Sequence, residues 1–187
     1  MKKFILIFAI IVFTGMAGFT QSFEKGANAI NLGIGFGNNY YQGNDYYGFY
    51  PSLSGSYEHG IAKVPMGSGL NGVVSLGGYL GWSMSNYNQD WDDYYQYTTF
   101  IVAFRANYHF IFHDKFDPYA GIWLGARIHG GHWKGNGSHP DDWEPAKPSP
   151  AAGAYLGVRW FFTDNFAVYS ELGYLISVFN VGVTFKF

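Results

Sequence analysis

Apolar residues recur at every second position through eight stretches of this chain, and turn-forming segments separate the stretches. The last is the clearest, with Phe179, Val181, Val183, Phe185 and Phe187 on one face and Asn180, Gly182, Thr184 and Lys186 on the other. Before it, Phe166, Val168, Leu172, Tyr174 and Ile176 oppose Ala167, Tyr169, Glu171 and Gly173. Ala154, Leu156, Val158, Trp160 and Phe162 likewise oppose Gly153, Tyr155, Gly157 and Arg159. Further upstream, Ala120, Ile122, Leu124, Ala126 and Ile128 oppose Gly121, Trp123, Gly125 and Arg127. The run Phe100 to Phe112 sets its even positions against Ala103, Arg105, Asn107 and His109. Val74, Leu76, Leu80 and Trp82 oppose Ser75, Gly77, Tyr79 and Gly81. Phe49, Leu53 and Tyr57 oppose Ser52, Ser54, Ser56 and Glu58, and Ile30, Leu32, Ile34 and Phe36 oppose Asn31, Gly33, Gly35 and Gly37. A period of two predicts strands and argues against helices.

The second face decides which solvent the first one meets. It holds Gly, Ser, Tyr and a few Arg or Glu, and almost none of the Lys and Glu that a water-facing sheet displays. Glycine at alternate positions of a solvated strand costs backbone entropy and packs nothing. On the inside of a narrow barrel the same glycines make room for large neighbours. The apolar face is therefore expected to point outward into hydrocarbon, and the alternative of a soluble, lipocalin-like barrel is disfavoured. Composition agrees. Charged residues are 13% of the chain, about half the usual share of a soluble domain. Aromatics reach 21%, and the net charge of -2 points to no nucleic-acid partner. The predicted fold class is all-β: a closed, antiparallel, eight-stranded transmembrane β-barrel of up-and-down connectivity, with strands of roughly 10 residues.

If the first strand ascends from the periplasm, the outward residues at the lower ends are Tyr57, Phe110, Phe112, Trp160, Phe162, Phe166, Phe185 and Phe187. They form a periplasmic-side aromatic girdle of the kind such barrels carry. Lower connections then include residues 113–118 and 163–165. Upper loops span 38–48, 85–97 and 129–150, with a very short fourth near Ser177. The connection 60–72 is longer than a periplasmic turn should be.

The N-terminus reads as an export signal. Lys2 and Lys3 precede an apolar run from Phe4 to Phe13 and a tail of small residues, which is the layout of a secretory signal peptide. Residues 1–20 are assigned to the signal, with cleavage before Gln21, and residues 21–187 to the barrel. The chain has no cysteine, so disulfides cannot brace it.

The stretches FFTDNFAVYSELGYLISVFNVGVTFKF (161–187), SYEHG (56–60), RANYHF (105–110) and DPYAG (117–121) resemble the OmpA/OmpX-type small outer-membrane β-barrels. The likeness covers essentially all of residues 21–187. It implies a Gram-negative outer-membrane location, with outer-membrane lipids and lipopolysaccharide as surroundings. It also implies that the barrel assembly machinery recognises the C-terminal strand ending in Phe187. It does not imply one function, because this fold hosts several.

Chemistry-bearing candidates are few. Glu58, Arg105, Arg127, Arg159, Glu171 and Lys186 fall on the inner face, and Arg159, Glu171 and Lys186 lie on consecutive strands where they can meet. Buried charges persist when paired, so an ionic plug is expected. The alternative is a narrow, low-conductance pore in which Glu171 exchanges partners. His129, His132, His139, Asp141, Asp142 and Glu144 crowd one loop without metal-ligand spacing, so neither a metal nor any cofactor is expected. A lipid A-modifying enzyme of this size needs a Ser and a His with an orienting carboxylate. Ser138 and His139 are adjacent, and neighbours on an extended chain diverge. The sequence thus points to a non-enzymatic protein with a structural, surface-contact or envelope-integrity role. No loop ligand can be named from it.

Overall fold

The computed structural model describes residues 23–40, 46–47, 50–66, 70–90, 93–134 and 143–187. The signal assigned to residues 1–20 lies outside them. The strands are β1 (Asn28–Asn38), β2 (Tyr46–Tyr47), β3 (Ser52–Met66), β4 (Leu70–Asp90), β5 (Asp93–Ile111), β6 (Phe116–Lys134), β7 (Trp143–Phe161), β8 (Phe166–Gly173) and β9 (Ser177–Lys186). β2 is a two-residue piece paired to β4. The eight others pair antiparallel in the order β4-β3-β1-β9-β8-β7-β6-β5, and a β4–β5 ladder closes the ring. Closure leaves the barrel wall below its upper rim without a sheet edge. Asn28 and Phe187 seal the seam by exchanging backbone N–H···O bonds of 2.9 Å.

The faces are divided as the alternation predicts. Phe104, Leu124, Leu80 and Ile122 are 83, 67, 61 and 64% exposed, while Glu58 and Arg159 are fully buried. The space beside several inner glycines is taken by neighbouring side chains. A Cβ at Gly33 would collide with the Tyr169 hydroxyl, one at Gly157 with the Tyr119 ring, and one at Gly121 with Tyr155 and Asn107. Small residues inside therefore match large ones inside, in register.

Strand length departs from the expectation of roughly 10 residues. β4 has 21 residues and β5, β6 and β7 have 19 each. Much of the expected loops 85–97 and 129–150 is hydrogen-bonded hairpin that prolongs the wall upward. Backbone groups lifted beyond the apolar band can still satisfy one another across a ribbon, so polar sequence does not end the ladder. The connection 60–72 is resolved similarly. β3 runs to Met66 and β4 starts at Leu70, with a register shift between Gly60 and Ala62. Phe116 and Asp117, expected in a turn, already belong to β6.

The upper rim is uneven. β8 stops at Gly173, so among the described residues β7 has no paired strand on that side above Tyr155. The Ala154 carbonyl accepts from the Tyr174 N–H on this side, and strand alternation turns residues 148 and 150 the same way. Both are proline, which offers no N–H to an incoming strand. Replacing the two with threonine is expected to restore donors along this edge. Self-association should then rise, as read by light scattering of the protein in detergent; an unchanged monomer would contradict the guarding role.

Candidate functional site

The most highly organised polar region of the molecule is the barrel interior, and it has three tiers. The middle tier is a hydrogen-bonded network that reaches all eight long strands. Glu58 of β3 accepts from Arg159 of β7, from Asn107 at 2.7 Å, from Ser75 at 3.0 Å and from Asn31 at 3.1 Å. Arg159 also donates to Asp117 of β6 at 3.2 Å. Asp117 in turn lies 2.9 Å from Nδ1 of His109. Arg105 of β5 donates to Glu171 of β8 at 2.6 Å and to Ser56 at 3.0 Å. Glu171 accepts a second bond from the Tyr119 hydroxyl at 2.8 Å. Asn31 of β1 accepts from Thr184 of β9 at 2.6 Å, and Tyr155 donates to Asn107.

Aromatic faces sheath the two guanidiniums. Arg105 lies 4.6 Å from the Tyr155 ring centroid, and Arg159 lies 4.6 Å from that of Tyr119. A desolvated cation over an aromatic face is attracted by the ring quadrupole. With carboxylates at their edges and rings at their faces, these charges are buried in compensated form.

The upper tier is apolar. Strand β8 ends at Gly173, whose φ of +155° is one that side chains disfavour. The turn that follows folds Leu175 and Ile176 into the mouth, where both are fully buried against Tyr79, Ile101, Ala103, Trp123 and Tyr155. Trp123 donates to the Tyr174 carbonyl at 2.6 Å, and Asn39 bonds the carbonyls of Gly173 and Leu175, which holds the turn in place. The lower tier is Phe23. It is fully buried beside Ala29 and Val73, and its ring stacks on His109 at 4.3 Å.

The six inner charges predicted from sequence are all turned inward, but their partners differ from the expected ones. Arg159, Glu171 and Lys186 do not meet. Arg159 binds Glu58 and Asp117, Glu171 binds Arg105, and Lys186 places Nζ 4.9 Å from the Phe161 ring centroid at the lower rim. In a narrow barrel long side chains reach across the axis, as Arg159 does to Glu58, although Arg159 also pairs with Asp117, its register partner on the adjacent β6. Arg127 sits apart from the network, near the upper end, with its guanidinium 4.9 Å from the Tyr40 ring centroid. Burial and the neighbouring Tyr174 push the Tyr40 hydroxyl up to about 12, against the opposing pull of Arg127. Ile176, expected to face outward, is buried in the lid because the strand ends before it.

Tyr57, Phe112, Trp160, Phe162, Phe185 and Phe187 lie exposed on the outer surface, while Phe110 and Phe166 are partly covered. Phe110 stacks on Phe112, Phe162 on Phe166, and Phe185 on Phe187. Among the described residues no group of His, Asp and Glu is arranged to hold a metal ion. Ser138, His139, Asp141 and Asp142 lie outside the described residues, as does the side chain of Glu144.

Sequence reasoning missed Asp117, Tyr119 and Phe23 as members of the interior, and it placed Asn107 and His109 on the inner face without a role in the network. Asp117 shares the parity of Tyr119, Gly121 and Trp123, which was the available signal. Phe23 precedes the first alternating stretch, and no pattern announces its return into the barrel.

No protein-family model matches the chain, and neither does any curated protein. Solved structures do resemble it. Ail, the attachment invasion locus protein of Yersinia pestis, crystallised with the heparin analogue sucrose octasulfate, superposes with a TM-score of 0.54 at 11% identity. That match covers 87% of this chain and 99% of Ail. The N-terminal β-barrel domain of Pseudomonas aeruginosa OprF covers 87% of this chain and 98% of its own, at 16% identity and a TM-score of 0.48. The likeness to Ail is one of fold, and the fold of this chain is a closed antiparallel barrel of eight long strands.

Proposed function

We propose that this chain is a non-enzymatic integral protein of a Gram-negative outer membrane. In this reading its lumen is sealed and its raised strands serve surface contact or envelope integrity. The observation that carries the reading is the inverted distribution of side chains. Large apolar residues of eight strands face outward, and Glu58, Arg105, Asp117, Arg159 and Glu171 are buried inside. Only a hydrocarbon exterior makes that arrangement favourable, since lipid covers what water would not. The aromatic residues at the lower end then sit at the periplasmic interface, and the prolonged β4–β5 and β6–β7 hairpins stand above the opposite one. Outer-membrane lipids and lipopolysaccharide are the immediate surroundings, and the strand ending in Phe187 is the segment offered to the assembly machinery.

The three interior tiers favour the sealed barrel over the narrow pore. An ion crossing the lumen would have to pass the Leu175–Ile176 lid, the bonded network and Phe23 in series. The protein reconstituted in planar bilayers is therefore expected to give no reproducible single-channel steps. Steps that persist in the parent protein and change in Glu171→Ala would sink the sealed-barrel reading. Heat-modifiable mobility on gels and resistance to aqueous extraction test the membrane location; a folded monomer recovered without detergent would end it.

A further inference from the structure

The bonding around His109 shows how the lower mouth is shut. His109 lies on β5 and is fully buried. Its Nδ1 is 2.9 Å and 3.1 Å from the two carboxylate oxygens of Asp117 on β6. Its Nε2 is 3.2 Å from Glu58 Oε2 on β3 and 3.0 Å from the Ser75 hydroxyl on β4. When Ser75 gives its proton to Glu58 at 3.0 Å, its oxygen is left to accept from Nε2. Both ring nitrogens therefore face acceptors, and a bare lone pair on either would face a carboxylate. Asp117 fixes Nδ1 as a donor, and a second N–H at Nε2, the imidazolium form, replaces a lone pair that would otherwise face Glu58 Oε2 at 3.2 Å.

The Phe23 ring lies on that imidazolium, nearly parallel to it, with an interplanar angle of 20°. The Arg159 guanidinium of β7 lies 5.6 Å from the centroid of the same ring. The backbone of the segment is held by two further bonds: Gly26 N–H to the Gly60 carbonyl at 2.8 Å, and Gly60 N–H to the Ala27 carbonyl at 2.9 Å. Tyr119 of β6 flanks His109 at 5.3 Å between centroids, and Lys186 of β9 faces Asp117 from the seam.

We infer that residues 23–27 form a proton-held stopper, in which the protonated His109 ring, clamped by Asp117 and Glu58, holds Phe23 in the lower mouth of the barrel. Loss of the proton does two things at once. It takes away the cation under the aromatic face, and it turns one clamped N–H···O contact into a lone pair opposed to a carboxylate. Both loosen Phe23, so the stopper is closed at lower pH and released as pH rises. This goes beyond the sealed-barrel reading, because the network and the apolar lid remain in place when Phe23 leaves.

The test is amide hydrogen exchange on the folded protein in detergent micelles, read at Gly26 and Ala27 from pH 6 to pH 9 as protection factors. Protection factors divide out the intrinsic pH dependence of exchange. Phe187 N–H, bonded to the Asn28 carbonyl in the barrel seam, serves as the reference. Protection at Gly26 is expected to fall about tenfold or more across the range, the scale of one desolvated cation–π contact, while Phe187 holds steady. In His109→Gln, which keeps a side-chain donor and carries no charge, protection at Gly26 should be low at every pH. In Phe23→Leu, which keeps apolar bulk without the ring, the pH dependence should vanish. A flat protection factor in the parent protein overturns the inference. So does a pH dependence that survives unchanged in Phe23→Leu, and that variant decides the matter even if His109→Gln does not fold.

Discussion

Glu58→Ala is expected to destabilise the barrel by about 3–5 kcal/mol, the cost of breaking a buried ion pair from one side only. The carboxylate removed is the hub of the interior. Arg159, Asn107, Ser75 and Asn31 all donate to it, and it lies beside Nε2 of His109. Its loss leaves Arg159 with Asp117 as its remaining carboxylate partner, inside a wall that admits no compensating solvent. The measurement is reversible urea unfolding of the protein folded into vesicles, with stability taken from midpoint and slope. Arg159→Met alone should cost a similar amount, because Glu58 and Asp117 then face each other's charge without a guanidinium between them. The double variant Glu58→Ala/Arg159→Met removes one charge of each sign and should lie well short of the sum of the two single changes. A loss within about 0.5 kcal/mol for Glu58→Ala, the scatter of ordinary surface substitutions, would show that the network does not hold the barrel together.

Leu172→Arg is expected to cost roughly 2–4 kcal/mol, the penalty for a cation at a lipid-facing midplane site. Leu172 is 57% exposed, and its register partners are Leu156 and Phe179, both also outward. The adjacent change Glu171→Gln should leave membrane insertion intact, because position 171 faces Arg105 and Tyr119 inside. A glutamine there can still accept from both, although it no longer neutralises the guanidinium. Two neighbouring residues, separated by one step of the pleat, are thus predicted to answer to two different solvents. Urea titration of both variants in the same vesicles checks the pair, and equal tolerance at 171 and 172 would reject the assignment of faces.

Most of the wall was legible in the sequence, and most of the wiring was not. The inward parity of Glu58, Arg105, Arg159, Glu171 and Lys186 follows from alternation, since each strand residue has only two faces to choose from. Partner identity does not follow from parity. Arg159 and Glu171 stand on neighbouring strands, yet Arg159 bonds across the axis to Glu58 and sideways to Asp117, its register partner on β6, while Glu171 bonds Arg105 on β5. Those choices depend on the stagger of the ring and on which glycines leave space for the tyrosines beside them. Gly157 admits Tyr119, which then reaches Glu171.

Boundaries failed where local signals and hydrogen bonding disagreed. The acidic and aromatic run 85–97 reads as loop, but the ladder joins Ser85 to Tyr97 and continues to the pairing of Asp90 with Asp93. Proline at 148 and 150 also suggests a break in the strand. It is tolerated because β7 has an open side there, and the missing N–H groups face away from β6.

What the sequence by itself determined is the class of the molecule: eight alternating strands, an oily exterior, an interior of glycine, tyrosine and charge, and closure into a ring. The period of two carries the strands and their faces, because it is a property of the backbone and needs no knowledge of distant residues, and the residue types on the second face carry the oily exterior and the closed ring. Only the tertiary structure decided what fills the two ends of the lumen. The turn after Gly173 lays Leu175 and Ile176 over the mouth, and Phe23 returns from outside the repeating pattern to close the other end. The reason is physical. A side chain's face is set by its neighbours in sequence, whereas its partner is set by residues brought near when the sheet bends shut.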